Sequence, residues 1–279
     1  MRLVLYLGNI YYTGYCFMQI VDLTHLKWCD ISYGCYYKAT QIENGIKYYY
    51  KCSNFYSGQN CFGEESIYEV ICSRLFQLLG FDCVKYTLCY ARVKIDGMVF
   101  DTYVCKSKNY FVGYNSRTTL EDLQKILGLK NSVETVNKIG IQREIEKLLV
   151  ADFLVMQRDR HGKNIEILIK DNKYYLAPLF DNGLGLLAPY PVALTKIDRI
   201  KEFDVLKDCP VNNCIGTRSL YDNLNLLSGS IWVNRLKKED KKKLFYGLNS
   251  LLPKEYIEKI WELIVYRYMF LRKRGIILD

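Results

Sequence analysis

The sequence predicts an α+β fold, with a β-rich first part that carries one main helix and a larger, mostly helical second part. Two hairpin signals fall in the first part, where Asn44-Gly45 and Asp96-Gly97 each separate runs of β-prone residues. Between these signals, residues 64–79 repeat apolar side chains at spacings of three and four, the pattern of an amphipathic helix. From about residue 108 the helical period dominates.

The first hairpin is predicted over residues 31–52. A strand at 31–38 leads into a turn at 41–45, and residues 46–52 return, ending near Lys51. The second hairpin is predicted from strands at 85–94 and 98–106.

The main helix of the first part is predicted to end at Gly80, because glycine readily takes the left-handed backbone conformation of a helix C-cap. Glu69 lies beside the apolar face of this helix, and Glu65 lies one turn earlier. The apolar face consists of Ile67, Val70, Ile71, Leu75, Leu78 and Leu79.

Four helices are predicted in the second part, two of them before residue 157. Thr118-x-x-Glu121 is typical of a capping box before a helix at 120–127. A helix of about four turns then carries an apolar stripe, and it leads into residue 157. The stripe consists of Ile141, Ile145, Leu148, Leu149, Phe153 and Met156.

The C-terminal region is predicted to contain a lysine-rich helix at 240–252 and a long helix that Pro253 opens and Gly275 ends. Residues 184–217 show little periodicity, and long loops of this kind are usually functional or mobile.

Composition limits the classes of protein. The chain has 279 residues, half of them hydrophobic, which is enough for a full core in one large domain or two lobes. The net charge of +9 suits an anionic partner, but no nucleic-acid-binding motif is present and no specific nucleic-acid partner is predicted. No run of about 18 apolar residues is present, so no membrane span is expected.

Cysteine usage indicates a reducing compartment. The eleven cysteines form no C-x-x-C pair and only two histidines accompany them, which argues against zinc. Scattered single thiols predict a cytoplasmic protein, with secretion or delivery into another cell left open. A Cys209–Cys214 disulfide is the less favoured alternative.

Three oxygen-bearing side chains surround a predicted hairpin. Asp159 and Asn164 precede strands at 165–169 and 174–180, and Asp181 follows them. A hairpin returns the chain to its starting edge, so Asp181 is expected near Asp159 and Asn164. This set suits phosphoryl transfer, in which one carboxylate orients the attacking hydroxyl while an amide and a second carboxylate hold Mg²⁺.

These residues resemble a known family. Asp159-Arg160-His161-x-x-Asn164, followed by Ala-Pro-Leu-Phe-Asp-Asn-Gly at 177–183, is similar to the catalytic segment of HipA-like serine/threonine kinases, in particular their short, stand-alone CtkA-like branch. The resemblance is strongest over about 120–190, fair over about 30–110, and fades after 190. It implies a bilobal protein-kinase-like fold, with an N-lobe at 1–107 and a C-lobe at 108–279.

The resemblance also implies roles for residues of the N-lobe. Lys51 is expected to hold phosphate oxygens of ATP and to pair with Glu69, with Lys47 or Lys38 as alternatives for the lysine and Glu65 for the acid. A loop with Ser32 and Gly34 is expected over the phosphates, although only one glycine of the usual pattern is present, and some family members autophosphorylate a serine there. Val104 and Cys105 are expected in the segment that contacts adenine.

The sequence thus predicts an ATP- and Mg²⁺-dependent serine/threonine protein kinase that acts on protein hydroxyls, with Asp159 as the catalytic residue and Asn164 and Asp181 as metal ligands. Arg158 and Arg160 are expected to contact phosphate or brace the loop, and His161 to pack within it. The DRHxxN string also occurs in phosphoinositide kinases, so a lipid or small-molecule kinase is one alternative. A catalytically inactive binding module of the same fold is the other. The oligomeric state is not predicted.

Overall fold

A computed structural model of the chain describes residues 20–30 and 36–279. Ser32 and Gly34 lie outside the described residues. The described strands are β1 Val21–Asp22, β2 Cys29–Asp30, β3 Tyr37–Glu43, β4 Ile46–Cys52, β5 Phe55–Tyr56, β6 Cys61–Phe62, β7 Tyr86–Ile95, β8 Met98–Lys108, β9 Ser116–Thr119, β10 Asp159–Arg160, β11 Glu166–Lys170, β12 Lys173–Leu176, β13 Asn212–Asn213, β14 Ile231–Trp232 and β15 Ile277–Leu278.

The helices of the described part begin with one long helix beside the sheet and continue through the second half of the chain. They are α1 Glu65–Leu79, α2 Leu120–Ile126, α3 Ser132–Ile139, α4 Gln142–Val155, α5 Ile197–Lys201, α6 Leu220–Asn223, α7 Asp240–Leu244 and α8 Lys254–Lys273. Short 3-10 turns occupy Ser57–Gln59, Gly162–Asn164 and Leu224–Leu226. The predicted α+β class, with sheet first and helices after, is confirmed.

Within residues 20–30 and 36–279, the main sheet has six strands in the order β1-β7-β8-β4-β3-β2. Both predicted hairpins are present, and their turn residues take positive φ: 50° and 77° at Asn44 and Gly45, and 50° and 83° at Asp96 and Gly97. Such angles at both central residues favour tight two-residue turns that match the twist of the strands. The described part of the first strand extends to Glu43, so the turn is shorter than the sequence suggests.

Helix α1 begins one residue later than predicted and ends at the predicted Leu79, where Gly80 caps it with a φ of 84°. Helix α8 likewise follows Pro253 as predicted. The predicted helix at 240–252 is wrong in length, because α7 stops at Leu244 and Gly247 takes a φ of 73° that a helix does not accommodate.

The predicted capping box is displaced by one residue. Thr119, not Thr118, caps α2, and its hydroxyl accepts the Asp122 backbone N–H at 3.1 Å and donates to the Asp122 carboxylate at 2.7 Å. The two boxes have the same spacing in the sequence. Thr119 is the cap because it is the last residue of β9 and directly precedes α2, whereas Thr118 lies one residue further inside the strand, where it pairs with Ile167 of β11.

The hairpin of β11 and β12 positions the segment that follows it. Its turn residues Asp171 and Asn172 have φ values of 50° and 60°. Strand β12 ends at Leu176, short of the predicted residue 180. The next residues cross towards the N-terminal half, where Leu179 exchanges backbone hydrogen bonds with Asp82 and Val84 at 3.0 and 2.9 Å. The chain therefore reaches Asp181 at the junction between the sheet-bearing and helical parts.

One large apolar cluster joins both parts. It contains the inner face of α1, with Ile71 and Leu75 fully buried, together with buried residues of α4 and α8. A smaller cluster, which includes Leu23, Tyr50 and Val93, covers another face of the sheet. Helix α1 thus packs against the sheet and is also part of the C-terminal core. The division after residue 107 stays a prediction.

Cysteines in the described part of the chain are free thiols, Cys209 and Cys214 included, so the alternative disulfide is not formed. No helix within residues 20–30 and 36–279 is both long and apolar enough to span a bilayer.

Candidate active site

Lys51 occupies a central position on β4, between β3 and β8, where its backbone lies opposite Lys38 on one side and Cys105 on the other. Its side chain is nearly buried. Burial by itself lowers the pKa of the Lys51 ammonium, but Asp181 and Glu69 outweigh it, so the pKa lies well above its ordinary value. The lysine is therefore a fixed cation at a nearly buried position of the sheet.

Glu69 of α1 supplies one of the two acids. It is fully buried, and its Oε1 lies 2.8 Å from Lys51 Nζ. Its other oxygen accepts the Asn182 backbone N–H at 2.9 Å. Glu65, the alternative partner, accepts the Asn54 N–H at 3.2 Å instead. Glu69 thus connects the sheet lysine to the turn that carries Asp181.

Asp181 supplies the second acid and forms an ion pair with Lys51, while Lys38 Nζ lies 3.9 Å from its Oδ2. Burial by itself raises the pKa of the Asp181 carboxyl, but Lys51 and Lys38 outweigh it and hold that pKa well below its ordinary value. The backbone of Asp181 has a φ of 58°, and Gln157 Nε2 donates to its carbonyl at 2.7 Å. A non-glycine residue rarely adopts this conformation, so the surrounding bonds hold it in place.

Arg160 braces the loop that carries Asp159 and Asn164. It is buried and donates from Nε and Nη2 to the Asp152 carboxylate, with Nη2 at 2.9 Å. It also donates to the carbonyls of Asn164 and Phe180, both at 3.0 Å, and to Asn182 Oδ1 at 2.7 Å. This one guanidinium therefore joins the Asp159–Asn164 loop to the Asp181 turn. The sequence left two roles open for Arg160, contact with phosphate and bracing of the loop. Its hydrogen bonds are those of a residue that braces the loop.

The Asp159 carboxylate is partly exposed and lies between two neighbours. Its Oδ1 accepts a hydrogen bond from Asn212 Nδ2 at 2.8 Å, and its Oδ2 lies 3.6 Å from His161 Nε2. His161 Nδ1 accepts the Lys163 backbone N–H at 3.2 Å, so a neutral ring carries its proton on Nε2, facing Asp159. His161 thus caps the 3-10 turn of the loop.

Asn164 is held on the same loop, and its Nδ2 donates to the Asp159 carbonyl at 2.9 Å. This bond assigns Oδ1 as the amide oxygen that could meet a cation. A carboxylate from Asp181 and an amide oxygen from Asn164 fit Mg²⁺, which usually takes few protein ligands and completes its shell with waters and substrate phosphates. Within residues 20–30 and 36–279, no group of three or more His, Cys, Asp or Glu side chains could hold a metal by itself.

Val104 and Cys105 are not placed as predicted. Both lie inside β8, an interior strand whose backbone faces β4 on one side and β7 on the other. The backbone of an interior strand is committed to its neighbours, so neither residue has main-chain groups to offer a ligand. The sheet pairing continues to Lys108, and a connecting segment begins only after that residue.

The structure thus brings Lys51, Glu69 and Asp181 into direct contact, and Arg160 links this cluster to Asp159 and Asn164. Sequence reasoning missed Asp152 and Asn212. An acid inside the apolar stripe of α4 was a usable signal for Asp152 as the partner of a buried cation. No local pattern marks Asn212, which lies 53 positions from Asp159.

The sheet, helix α1 beside it and the helical second part together form a bilobal, protein-kinase-like fold. Among solved structures, the chain is similar to the Helicobacter pylori proinflammatory kinase CtkA, with a TM-score of 0.61 and 16% identity over 92% of this chain and 97% of that one. This likeness confirms, at the level of the fold, the resemblance predicted from the sequence.

A weaker likeness is to Shewanella oneidensis MR-1 HipA, solved with HipB and operator DNA. It has a TM-score of 0.40 and 12% identity over 86% of this chain and 59% of that one, which is too distant to support an argument. No family model and no curated protein matches the chain.

Proposed function

We propose that the protein is an ATP-dependent serine/threonine protein kinase that transfers the γ-phosphate to protein hydroxyls. The observation that carries the proposal is the cluster of Lys51, Glu69 and Asp181 beside the Asp159–Asn164 loop. The acceptor is a seryl or threonyl hydroxyl on a protein, with autophosphorylation at Ser32 as part of the proposal.

Each side chain has one task in this proposal. Lys51, fixed by Glu69, holds phosphate oxygens, and Asp181 and Asn164 hold Mg²⁺. The metal would neutralise charge on the phosphates when bound. Asp159 orients the acceptor hydroxyl and takes its proton. Lys51 and Lys38 balance the charge of Asp181.

The proposed adenine-contacting segment begins after Lys108, in place of Val104 and Cys105. Here the chain leaves the sheet through Asn109, whose N–H bonds to the Lys47 carbonyl at 2.9 Å. Tyr110 then stacks on Phe180, with ring centroids 5.8 Å apart, next to the candidate metal ligand Asp181. A base bound beside these rings would direct its phosphates towards Lys51.

Replacement of Asp159 tests the proposal. Asp159→Asn keeps the size of the side chain and its capacity to accept from Asn212, but it removes the carboxylate. Because general-base groups contribute roughly 100- to 10,000-fold, we expect a loss of phosphate transfer of that size with ATP affinity retained. The measurement is mass spectrometry of the protein and a generic protein acceptor after incubation with Mg-ATP.

The matched control is Asp171→Asn, which makes the same chemical change in the exposed turn between β11 and β12. If neither the wild type nor Asp159→Asn transfers phosphate although both bind ATP, the proposal is contradicted. Phosphoinositides and aminoglycosides, tested beside the protein acceptor, separate protein kinase from lipid or small-molecule kinase.

A further inference from the structure

Asn212 contacts the candidate catalytic carboxylate from a distant part of the chain. Strand β13 pairs in parallel with β10, with Asn212 opposite Asp159 and Asn213 opposite Arg160. The Asn212 N–H bonds to the Arg158 carbonyl at 2.7 Å, and the Cys214 N–H to the Arg160 carbonyl at 3.1 Å. With the backbone fixed on either side, the short Asn212 side chain reaches Asp159 Oδ1 at 2.8 Å.

This contact restricts the Asp159 carboxylate. The terminal torsion of an aspartate is broad, so a free carboxylate samples many planes. An amide donor on Oδ1 selects one plane and leaves Oδ2 on the side of His161 Nε2, at 3.6 Å. Among the described residues, the side chain that donates a hydrogen bond to the Asp159 carboxylate is that of Asn212.

The segment that carries Asn212 is anchored in the core of the C-lobe. Val211 and Ile215, on either side of β13, are 2% and 3% exposed and belong to the main core. Asn223 Oδ1 accepts the Thr217 N–H at 2.6 Å, and Ser219 donates to the Asp208 carboxylate at 2.5 Å. A segment anchored in this way is suited to a constant task rather than to reversible covering of the site.

We propose that Asn212 is a positioning residue that orients Asp159, so that Oδ2 receives the proton of the acceptor hydroxyl. This inference rests on the proposed function. It assigns residues 208–218 as one wall of the site where the acceptor hydroxyl binds. Misplacing a reacting group by about 1 Å can reduce a rate by roughly 100-fold, so loss of the amide has a measurable cost.

The test uses Asn212→Asp and Asn212→Ala. The aspartate keeps the shape of the side chain but replaces the donor with a charge that repels Asp159. We expect kcat to fall roughly 10- to 100-fold in both variants while the KM for ATP stays unchanged, because the amide acts on orientation and does not touch nucleotide. Asn213→Ala is the control, because Asn213 bonds within the same loop, to the Ile215 N–H at 3.0 Å, and not to Asp159.

The inference is overturned if both Asn212 variants keep the kcat of the wild type. It is also overturned if kcat rises, because the segment would then cover the site and restrict access to it. A wild type that transfers no phosphate removes the proposed function instead. In that case a double-mutant cycle of Asp159→Ala and Asn212→Ala on the unfolding midpoint still decides the contact. Coupled effects support it, and additive effects overturn it.

Discussion

Lys38 and Lys51 place two ammonium groups over one carboxylate. They are directly opposite each other on β3 and β4, so their side chains leave the same face of the sheet. Like charges at such positions repel, and here Asp181 and Glu69 balance them. Lys51 is nearly buried, whereas the Lys38 side chain is 34% exposed and more loosely placed, 3.9 Å from Asp181. We therefore expect Lys38 to turn towards the phosphates when nucleotide binds.

Lys38→Met is expected to weaken the binding of Mg-ATP roughly tenfold, the size of one hydrogen bond to a charged group. Isothermal titration measures this affinity. Lys51→Met is expected to abolish phosphate transfer, since it also leaves Glu69 buried without its cation.

Lys47→Met is the matched control for Lys38. Lys47 lies on β4, the strand next to that of Lys38, but it is exposed and its ammonium lies over the Tyr49 ring at 5.2 Å. An ATP affinity of Lys38→Met equal to that of Lys47→Met would show that Lys38 does not contact the phosphates.

At the scale of residues, the sequence predicts groups that share a local pattern better than groups that meet through the fold. Lys51 and Glu69 could be proposed because a strand end and a helix face have fixed periodicities. Spacing alone left Lys38, Lys47 and Glu65 as alternatives, and the contacts distinguish them only in three dimensions. The bond from Asn212 to Asp159 depends on a parallel pairing across 53 positions, which leaves no local signal.

At the scale of elements, the turn at Asp181–Gly183 lies directly against α1. A Cβ added to Gly183 would lie 2.9 Å from the Glu65 carbonyl and 3.2 Å from Glu69 Cγ. Both contacts are closer than ordinary packing allows, and the first is to backbone, which cannot rotate away. The glycine therefore sets the distance between α1 and the turn, and with it the contact of Glu69 with Asn182.

Gly183→Ala is expected to displace α1 from the turn and reduce phosphate transfer about tenfold or more, since small misplacements of catalytic groups have large kinetic effects. The unfolding midpoint is also expected to fall, because overpacking typically costs about 1–3 kcal/mol. Activity assays and thermal unfolding measure the two effects.

Gly58→Ala provides the comparison, because a Cβ at Gly58 has nothing within 4 Å. If Gly183→Ala has the same activity and the same unfolding midpoint as Gly58→Ala, the contact between Gly183 and α1 does not set the position of the helix.

Elements were predictable where a strong local sequence pattern had no competing pattern nearby, as at the two hairpin turns, α1 and α8. Errors arose where two local solutions compete. Thr118 and Thr119 both have an acid three positions later, and Thr119 is the cap because β9 ends there and α2 begins at the next residue. The segment predicted to contact adenine lies inside β8 for a related reason, because the length of β8 is set by pairing with β4 and β7 rather than by its own composition.

At the scale of the whole molecule, α1 connects the two lobes. Its apolar face lies in the same core as α4 and α8. Its C-terminal half is also bonded to the C-terminal region, since Arg74 donates to the carbonyls of Leu244 and Tyr246 at 2.9 and 2.8 Å, and the Asn234 N–H bonds to the Leu79 carbonyl at 2.9 Å. The helix that presents Glu69 therefore cannot separate from the C-lobe without exposing buried apolar surface, and the lobes are expected to unfold together.

The three tryptophans allow this expectation to be measured separately in each lobe. Trp28 lies near the sheet and donates to the Leu23 carbonyl, whereas Trp261 lies on α8 and packs against the main core. Variants that keep only Trp28 or only Trp261, with phenylalanine at the other two positions, are expected to give coincident unfolding transitions in urea. Leu75→Ala, a cavity in the shared core, is then expected to lower both midpoints equally, with a loss of about 2–5 kcal/mol of unfolding free energy. A Trp28 transition that stays in place while the Trp261 transition moves would show that α1 does not couple the lobes.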